Sequence, residues 1–158
     1  MSACAKRFFG HPAHPPPVWR PNQPTILFVS LRLAHPASVN LAAHVHCEAM
    51  ERAWRRATDW HVGHYLVMPD HVHFFCAPAV PTHPPVRRWL GYWKRVLGRE
   101  DASLSGVFKA DCWDTQMRDR EHYVEKLDYV RRNPERKNLV APQEQWPYCG
   151  VVFHLQGW

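Results

Sequence analysis

A strand–turn–strand pattern constrains the fold of this 158-residue chain more than any other feature of its sequence. The two strand candidates are Trp60–Val67 and His71–Cys76, which are short and rich in aromatic and β-branched residues. Between them stand Met68, Pro69 and Asp70, and Pro and Asp favour a tight turn. The sequence therefore predicts a β-hairpin in the middle of the chain.

Further elements follow from hydrophobic periodicity and from helix start and stop signals. They are a strand over 25–33, a helix over 39–57 with Ser38 as its N-cap, a helix over 86–97, a strand over 107–113, a helix over 120–133 and a short strand within 151–155. The helix over 120–133 ends before Pro134 because a residue that precedes proline disfavours the α region. The order predicts an α+β fold, namely a ferredoxin-like antiparallel sheet with helices on one face and an additional C-terminal, Tyr-bearing helix.

The composition is that of a globular protein, with 46% apolar and 22% charged residues. Residues 1–24 are rich in proline and predict a poorly ordered tail, whereas 25–158 predict a single domain. No apolar run approaches the roughly 20 residues that span a bilayer, and no signal-peptide core is present. The five cysteines contain no CxxC pair, which argues against a disulfide framework or zinc ribbon and favours a cytoplasmic protein.

The charge balance indicates the kind of partner. Lys and Arg number 20 against 14 Asp and Glu, so the net charge is +6 at pH 7. A basic excess of this size favours polyanionic partners and says little about the fold.

His71 and His73 are the strongest candidates for metal binding. Residues i and i+2 of a strand point to the same side, so the two imidazoles should project together. Two imidazoles on a rigid strand can begin a divalent-metal site, although two half-exposed sheet histidines would give the same pattern.

The other histidines lack this arrangement. His44 and His46 have the same spacing but fall in a predicted helix, where their rings diverge. His61 and His64 are expected on opposite faces of their strand. Four more stand beside prolines and are expected to be solvated: His11, His14, His35 and His83.

Tyr129 and Asn133 lie four residues apart on the predicted last helix and therefore share a face. A tyrosine oxygen can act as a covalent nucleophile, and an amide oxygen is a suitable hard ligand for Mg²⁺ or Mn²⁺. A buried tyrosine at a helix–sheet contact is the alternative for Tyr129. Tyr123, on the same helix, competes for the role of nucleophile.

Two groups of basic residues are candidate DNA contacts. The first, called the 86–97 basic group, consists of Arg87, Arg88, Lys94 and Arg95 with Tyr92 as a stacking residue. The second, called the C-terminal basic group, consists of Arg131, Arg132, Arg136 and Lys137. Trp89 and Trp93 fall on the apolar stripe of the 86–97 helix and are expected in the core.

The segment LVMPDHVHFF, followed later by YVRRNP, resembles the REP-associated tyrosine transposases. These are relatives of the insertion-sequence 200-like transposases in the HUH endonuclease superfamily. The longer stretches WHVGHYLVMPDHVHFF, CWDTQMRDREHYVEKLDYVRRNP and WPYCG are also similar to family sequences, so the likeness extends over about residues 25–150.

The resemblance implies a nuclease that cuts and rejoins single-stranded DNA at repetitive palindromic hairpins through a 5′-phosphotyrosine. His71, His73 and Asn133 would hold Mg²⁺ or Mn²⁺, and Tyr129 would be the nucleophile. Such a protein would be cytoplasmic, associated with the nucleoid and not with a membrane, and either a monomer or a homodimer.

The sequence departs from the family after this motif, where Asn138 replaces a usual glycine. Asn tolerates positive φ, so we expect the helix exit to survive. Two alternatives stay open, an HUH replication-initiator-like nuclease and a non-catalytic ferredoxin-like nucleic-acid-binding domain.

Overall fold

The structure is a computed structural model that describes residues 14–157. Its strands are β1 (Leu27–Arg32), β2 (Trp60–Val67), β3 (His71–Pro78), β4 (Trp113–Gln116) and β5 (Cys149–Val151). Its α-helices are α1 (His44–Arg56), α2 (Val86–Glu100), α3 (Arg120–Arg131) and the single turn α4 (Asn133–Arg136). Among residues 14–157, no helix is both long and apolar enough to cross a membrane.

The five strands form one antiparallel sheet in the order β4-β1-β3-β2-β5. The first four follow the ferredoxin-like order, and β5 extends the sheet at the β2 edge, so the predicted fold class is confirmed. Helices α1 and α2 bury their apolar faces on one side of the sheet, where Trp54 and Trp93 stack with ring centroids 5.3 Å apart. Trp89 and Trp93 are in this core, as predicted.

Helix α3 covers the other side of the sheet. Leu127 packs with Ile26 and Phe75, and Val130 packs with Leu66. The two faces of β3 are therefore both covered, because its alternate residues meet α1 and α2 on one side and α3 on the other. This places His71 and His73 beneath the predicted Tyr-bearing helix.

The bounds of the hairpin and of α2 agree well with the sequence prediction. Strand β2 has the predicted limits, β3 continues two residues beyond Cys76, and α2 begins at Val86. Helix α3 begins at Arg120, as predicted, but ends at Arg131 before the separate turn α4. Asn138 has φ 55°, which confirms that Asn serves in place of glycine at this exit.

Strand β1 is shorter than the predicted 25–33, and α2 continues three residues beyond the predicted 86–97. Three further boundaries were wrong. Helix α1 begins at His44, because the backbone of Leu41 bonds to the Pro69 carbonyl and Ser38 bonds to the His35 carbonyl instead of capping a helix. The fourth strand is Trp113–Gln116, since Phe108 forms only an isolated bridge with Leu33, one residue beyond β1. The last strand is Cys149–Val151, which begins before the predicted 151–155.

The prediction that His61 and His64 lie on opposite faces was also wrong. The pairing of β2 with β3 shifts between Val62 and Tyr65, which marks a β-bulge. An extra residue in a strand reverses the alternation of the side chains that follow. His61 is paired with Ala77 and Leu66 with His73, and Ala77 and His73 lie on the α3 face of β3. Paired residues share a face, so His61 and Leu66 face α3, and so does His64, two residues before Leu66.

The N-terminal segment runs along β4. Gln116 Nε2 donates to the Val18 carbonyl at 2.8 Å, and Gln116 Oε1 accepts from the Val18 amide at 2.8 Å. The Arg20 guanidinium donates to the Arg118 carbonyl at 2.9 Å. These contacts involve the end of the predicted tail, while its residues 1–13 lie outside the described part of the chain.

Candidate metal and nucleophile site

The structure brings together three of the residues singled out in the sequence, His71, His73 and Asn133. The two imidazole rings meet edge to face with centroids 4.6 Å apart. The Asn133 amide nitrogen lies 3.1 Å from His73 Nε2 and 3.5 Å from His71 Nε2. All three residues are buried, with exposed fractions of 5% for His71, 9% for His73 and 8% for Asn133.

Local sequence accounts for the position of Asn133. Asp119 caps α3 by accepting a hydrogen bond from the His122 amide, and Leu127 and Val130 anchor the helix on the sheet. Pro134 cannot continue the α3 hydrogen-bond ladder, so the chain turns into α4 at Asn133. The buried Asn133 side chain is directed at β3 by this turn.

The two imidazoles are held neutral. Burial lowers the pKa of His73 to about 3, with further contributions from the neighbouring His71 and Arg32. Burial also lowers the pKa of His71, although the hydrogen bond to Asp70 opposes the shift. Neutral imidazole is the form that binds a metal, so the pair has the correct protonation state at pH 7.

Asp70 orients His71. Its Oδ1 is 2.6 Å from His71 Nδ1, which places the ring proton on Nδ1 and leaves the Nε2 lone pair toward Asn133. A carboxylate behind an imidazole is the usual outer partner of a metal-binding histidine. His73 instead stacks on Phe28 at 5.4 Å, and its buried Nδ1 has no hydrogen-bond partner among residues 14–157.

These residues fit a divalent cation. In the arrangement described, the Asn133 amide donates to the two Nε2 atoms, and a half-turn of that amide would present Oδ1 beside them. Two imidazole nitrogens and one amide oxygen would then form one side of a coordination shell. The remaining positions would be open to substrate oxygens.

Tyr129 lies on the solvent side of α3, with 50% of its surface exposed. Asn133 is buried at the start of α4, so the prediction that the two share a face of one helix was wrong. The Arg136 guanidinium is 4.3 Å from the centre of the Tyr129 ring, and Lys126 Nζ is 5.6 Å from it. Lys126 Nζ is also 5.2 Å from the Phe28 ring, which stacks on His73. The alternative prediction of a buried tyrosine therefore does not apply to Tyr129, and two cations stand beside it.

Tyr123 is packed differently. Its hydroxyl is 3.0 Å from His64 Nδ1, and its ring lies edge to face with Phe75 at 4.7 Å. Burial raises its pKa, although Arg131 opposes the shift. Arg131 is also 3.3 Å from His64 Nε2, so Tyr123, His64 and Arg131 form a contact network between α3 and β2.

The two basic groups lie on opposite sides of the sheet. The four residues of the C-terminal basic group are exposed and flank Asn133 in the chain, at the end of α3 and in and after α4. In the 86–97 basic group, Arg88, Tyr92 and Arg95 are exposed, but Arg87 is 3.2 Å from Asp111. Lys94 donates to the carbonyls of Lys109 and Ala110 at 2.6 and 3.1 Å, so its predicted contact with DNA has no support from its side-chain placement.

Two histidines predicted to be solvated are half-buried, which corrects that prediction. His14 contacts Asp111 and Asp114, and His83 packs edge to face on Trp60 at 4.9 Å. Proline neighbours suggested exposed loops in both cases, but these loops dock on the sheet. His44 and His46 make separate contacts, with Tyr148 and Asp101 respectively, as their helical spacing predicts.

The sequence interpretation missed the group formed by His14, Cys112 and Asp114. Donor atoms of these three side chains lie within 4.8 Å of one another, close enough to hold a metal ion. The Cys112-x-Asp114 spacing repeats the i, i+2 logic of the histidine pair. Local patterns do not indicate this group, because the predicted strand ends at Trp113 and His14 is about 100 residues away.

No protein-family model and no curated protein matches the chain. A solved structure of a REP-associated tyrosine transposase bound to a REP hairpin does match. The match has a TM-score of 0.66 and 16% identity, and it covers 80% of this chain and 76% of the other. The chain therefore has the fold of a REP-associated tyrosine transposase, as its sequence motifs suggested.

Proposed function

We propose that this protein is a metal-dependent endonuclease and strand transferase that acts on single-stranded DNA beside hairpins. One observation carries the proposal, namely that the buried Asn133 amide converges on the Nε2 atoms of His71 and His73, four residues after the exposed Tyr129. The fold supports it, because the similar solved structure is a tyrosine transposase bound to a hairpin.

In this proposal His71, His73 and Asn133 hold Mg²⁺ or Mn²⁺. The bound cation would polarise the scissile phosphate and stabilise charge that develops on its oxygens. Asp70 keeps the His71 proton on Nδ1, and the apolar contact with Phe28 holds the His73 ring. These contacts fix the two ligands before substrate arrives.

Tyr129 would attack the phosphorus atom. The bond from its oxygen to phosphorus forms while the bond from phosphorus to the 3′ oxygen breaks, which leaves a 5′-phosphotyrosine and a free 3′-hydroxyl. The phenol proton passes to a base or to water, and the departing oxygen takes up a proton. Attack by another 3′-hydroxyl reverses the step, so strand transfer needs no nucleotide hydrolysis.

The C-terminal basic group supplies the nearest phosphate contacts in this proposal. Arg136 packs on the Tyr129 ring, so a strand that reaches Tyr129 also meets its guanidinium. Arg88, Arg95 and Tyr92 lie across the sheet and would contact a more distant part of the DNA. Phosphate contacts of this kind make binding dependent on salt.

The test is a cleavage reaction with single-stranded oligonucleotides that carry hairpins from the flanking genome. We expect the native protein with Mg²⁺ to form a covalent protein–DNA adduct that survives denaturing electrophoresis. Tyr129→Phe should form no adduct while it retains hairpin binding. Tyr123→Phe is the matched control, and it should still form the adduct because Tyr123 contacts His64.

Each outcome bears on a different part of the proposal. An adduct formed by Tyr129→Phe would overturn the assignment of the nucleophile, and a loss confined to Tyr123→Phe would transfer the role to Tyr123. Hairpin binding by the native protein without any adduct would favour the alternative of a non-catalytic nucleic-acid-binding domain.

A further inference from the structure

A second group of potential metal ligands lies outside the site described above. A ring nitrogen of His14, the Cys112 sulfur and a carboxylate oxygen of Asp114 lie within 4.8 Å of one another. Their side chains are shielded from solvent, since Cys112 is 4% exposed and the side chains of Asp114 and His14 are 6% and 12% exposed. Three different donor types therefore meet in a nearly dry position.

The hydrogen bonds of His14 indicate which ring nitrogen carries the proton and which could bind a metal. Nδ1 contacts the Asp114 carboxylate, and Nε2 is 2.7 Å from Asp111 Oδ1. Asp111 can thus hold the ring proton on Nε2, which leaves the Nδ1 lone pair directed at Asp114. A carboxylate behind an imidazole is the outer contact that orients metal-binding histidines.

The charges also favour a cation. Asp111, Asp114 and a Cys112 thiolate would carry three negative charges, whereas Arg87, 3.2 Å from Asp111, and Lys94, whose charge also acts on Cys112, carry two positive charges. A divalent cation would offset the remaining excess of negative charge. Burial and the two carboxylates raise the pKa of the Cys112 thiol to about 12, so without a cation the sulfur stays protonated.

This group is separate from the histidine pair. Asp114 is paired with Val29, which lies in the core beneath α1 and α2, and paired residues share a face of the sheet. His73 faces α3 on the opposite side. The two groups therefore cannot share one ion.

The geometry points to a second metal site, at which Nδ1 of His14, the thiolate of Cys112 and the carboxylate of Asp114 bind a zinc-class divalent cation. A mixed imidazole, thiolate and carboxylate set suits Zn²⁺, whereas Mg²⁺ prefers oxygen ligands. The ion would fasten the segment of residues 14–20 to β4, in addition to the Val18–Gln116 hydrogen bonds. Binding releases the thiol proton of Cys112 to solvent.

Cobalt is the probe, because a thiolate bound to Co²⁺ gives a charge-transfer absorption that a site built from histidine and asparagine cannot give. We expect the metal-free full chain to develop this absorption with one equivalent of Co²⁺ and to lose it when Zn²⁺ is added. The His73→Ala variant should behave in the same way, so failure of this site and failure of the proposed nuclease site are distinguishable.

Four variants test the ligands. Cys112→Ala should abolish the absorption, and Cys149→Ala, which removes an exposed thiol, should retain it. His14→Ala, outside the core, should bind Co²⁺ at least tenfold more weakly. Asp111→Asn should keep the absorption but weaken binding by about 10- to 100-fold.

Two results would overturn the site. One is the absence of the thiolate absorption in the native chain at stoichiometric Co²⁺, and the other is its persistence in Cys112→Ala. If Cys112→Ala does not fold, unchanged Co²⁺ affinity of the folded His14→Ala variant would overturn the site equally.

Discussion

The side-chain amide of Asn133 lies 3.1 Å from Nε2 of His73, although 60 residues separate them in sequence. This contact joins the start of α4 to β3 and completes a set of three potential ligands within one chain. The amide also satisfies two buried imidazole nitrogens, at 3.1 and 3.5 Å. Its removal should therefore affect both stability and metal binding.

We expect Asn133→Ala to lower the free energy of unfolding by about 1–3 kcal/mol, because two buried acceptors lose their donor. Urea titration of the metal-free protein measures this change. Asn133→Asp is the paired variant. The carboxylate of this variant cannot donate to the imidazoles, but it is a stronger ligand than the amide. Mn²⁺ should therefore stabilise Asn133→Asp more than it stabilises Asn133→Ala. Equal responses of the two variants to Mn²⁺ would contradict a ligand role for residue 133.

Chelation should stop cleavage without abolishing hairpin binding. The proposed ligands are neutral imidazoles and an amide, so the cation supplies all of the positive charge that they present to the phosphate. We expect EDTA to prevent formation of the covalent adduct and Mg²⁺ or Mn²⁺ to restore it, as followed by denaturing electrophoresis. Because Mg²⁺ prefers oxygen ligands, restoration by Mg²⁺ would also indicate that cleavage does not depend on a metal at the group of His14, Cys112 and Asp114. Cleavage that persists in EDTA would exclude a metal role for His71 and His73.

Acid should loosen α3 through His64. Burial lowers the pKa of His64 below its usual 6.5, and Arg131 and His154 lower it further. The unfolded chain therefore takes up a proton more readily than the folded chain does, and the stabilising contribution of neutral His64 is lost as the pH falls below about 6.5. A positive charge on His64 would repel the Arg131 guanidinium beside it. The contact of His64 with the uncharged Tyr123 hydroxyl would be disturbed less.

The measurement is the thermal midpoint at about pH 7.5 and about pH 5.5, chosen to bracket the histidine pKa. The native protein should lose more thermal stability than His64→Gln, which cannot gain the proton. Other buried histidines titrate equally in both proteins, so the difference between the two isolates His64. Identical pH dependences would show that protonation of His64 does not weaken the α3 contact.

Salt dependence should distinguish the basic residues. Each lost phosphate contact lowers the slope of log affinity against log salt by about 1. We expect Arg136→Ala to lower the slope for hairpin binding by about this amount and to reduce adduct formation, since Arg136 stands beside Tyr129. Arg88→Ala should lower the slope but retain adduct formation, because Arg88 lies across the sheet.

Arg56→Ala is the control for these variants. Arg56 is exposed, but its guanidinium is 2.8 Å from Glu100, so its charge is already paired within the protein. Fluorescence anisotropy at several salt concentrations should give the native slope for this variant. A slope that changes equally in all three variants would indicate a general charge effect and no specific phosphate contacts.

Much of the fold could be predicted because the hairpin and α2 have strong local signals. Pro69 and Asp70 mark the turn, and Val86, Trp89 and Trp93 repeat at helical spacing. Strand β4 lacked such a signal, since its polar residues alternate between exposed and half-buried positions at an edge of the sheet. The start of α1 was missed because tertiary contacts of Leu41 outweigh the capping preference of Ser38.

The candidate site was predictable where the relevant residues share a rigid element. His71 and His73 are two residues apart on β3 and therefore project to the same side. Tyr129 and Asn133 belong to separate helices, so their spacing alone did not predict that one is exposed and the other buried. The shared face of His61 and His64 was not predictable, because a β-bulge leaves no clear mark in the sequence. The contacts of His14 depend on where the N-terminal segment lies, which local patterns do not encode.

The two halves of the candidate site rest on supports of unequal rigidity. Every residue of β3 from His71 to Cys76 is buried, whereas in α3 only Leu127 and Val130 are buried and the contacts of Tyr123 and Arg131 with His64 are partly exposed. We therefore expect the backbone amides of β3 to exchange with deuterium only on global unfolding, and those of α3 to exchange through smaller openings. Such an opening would carry Tyr129 and Asn133 away together and leave the histidine pair in place. The nucleophile and one proposed ligand would thus move as a single unit, while the sheet keeps the other two ligands.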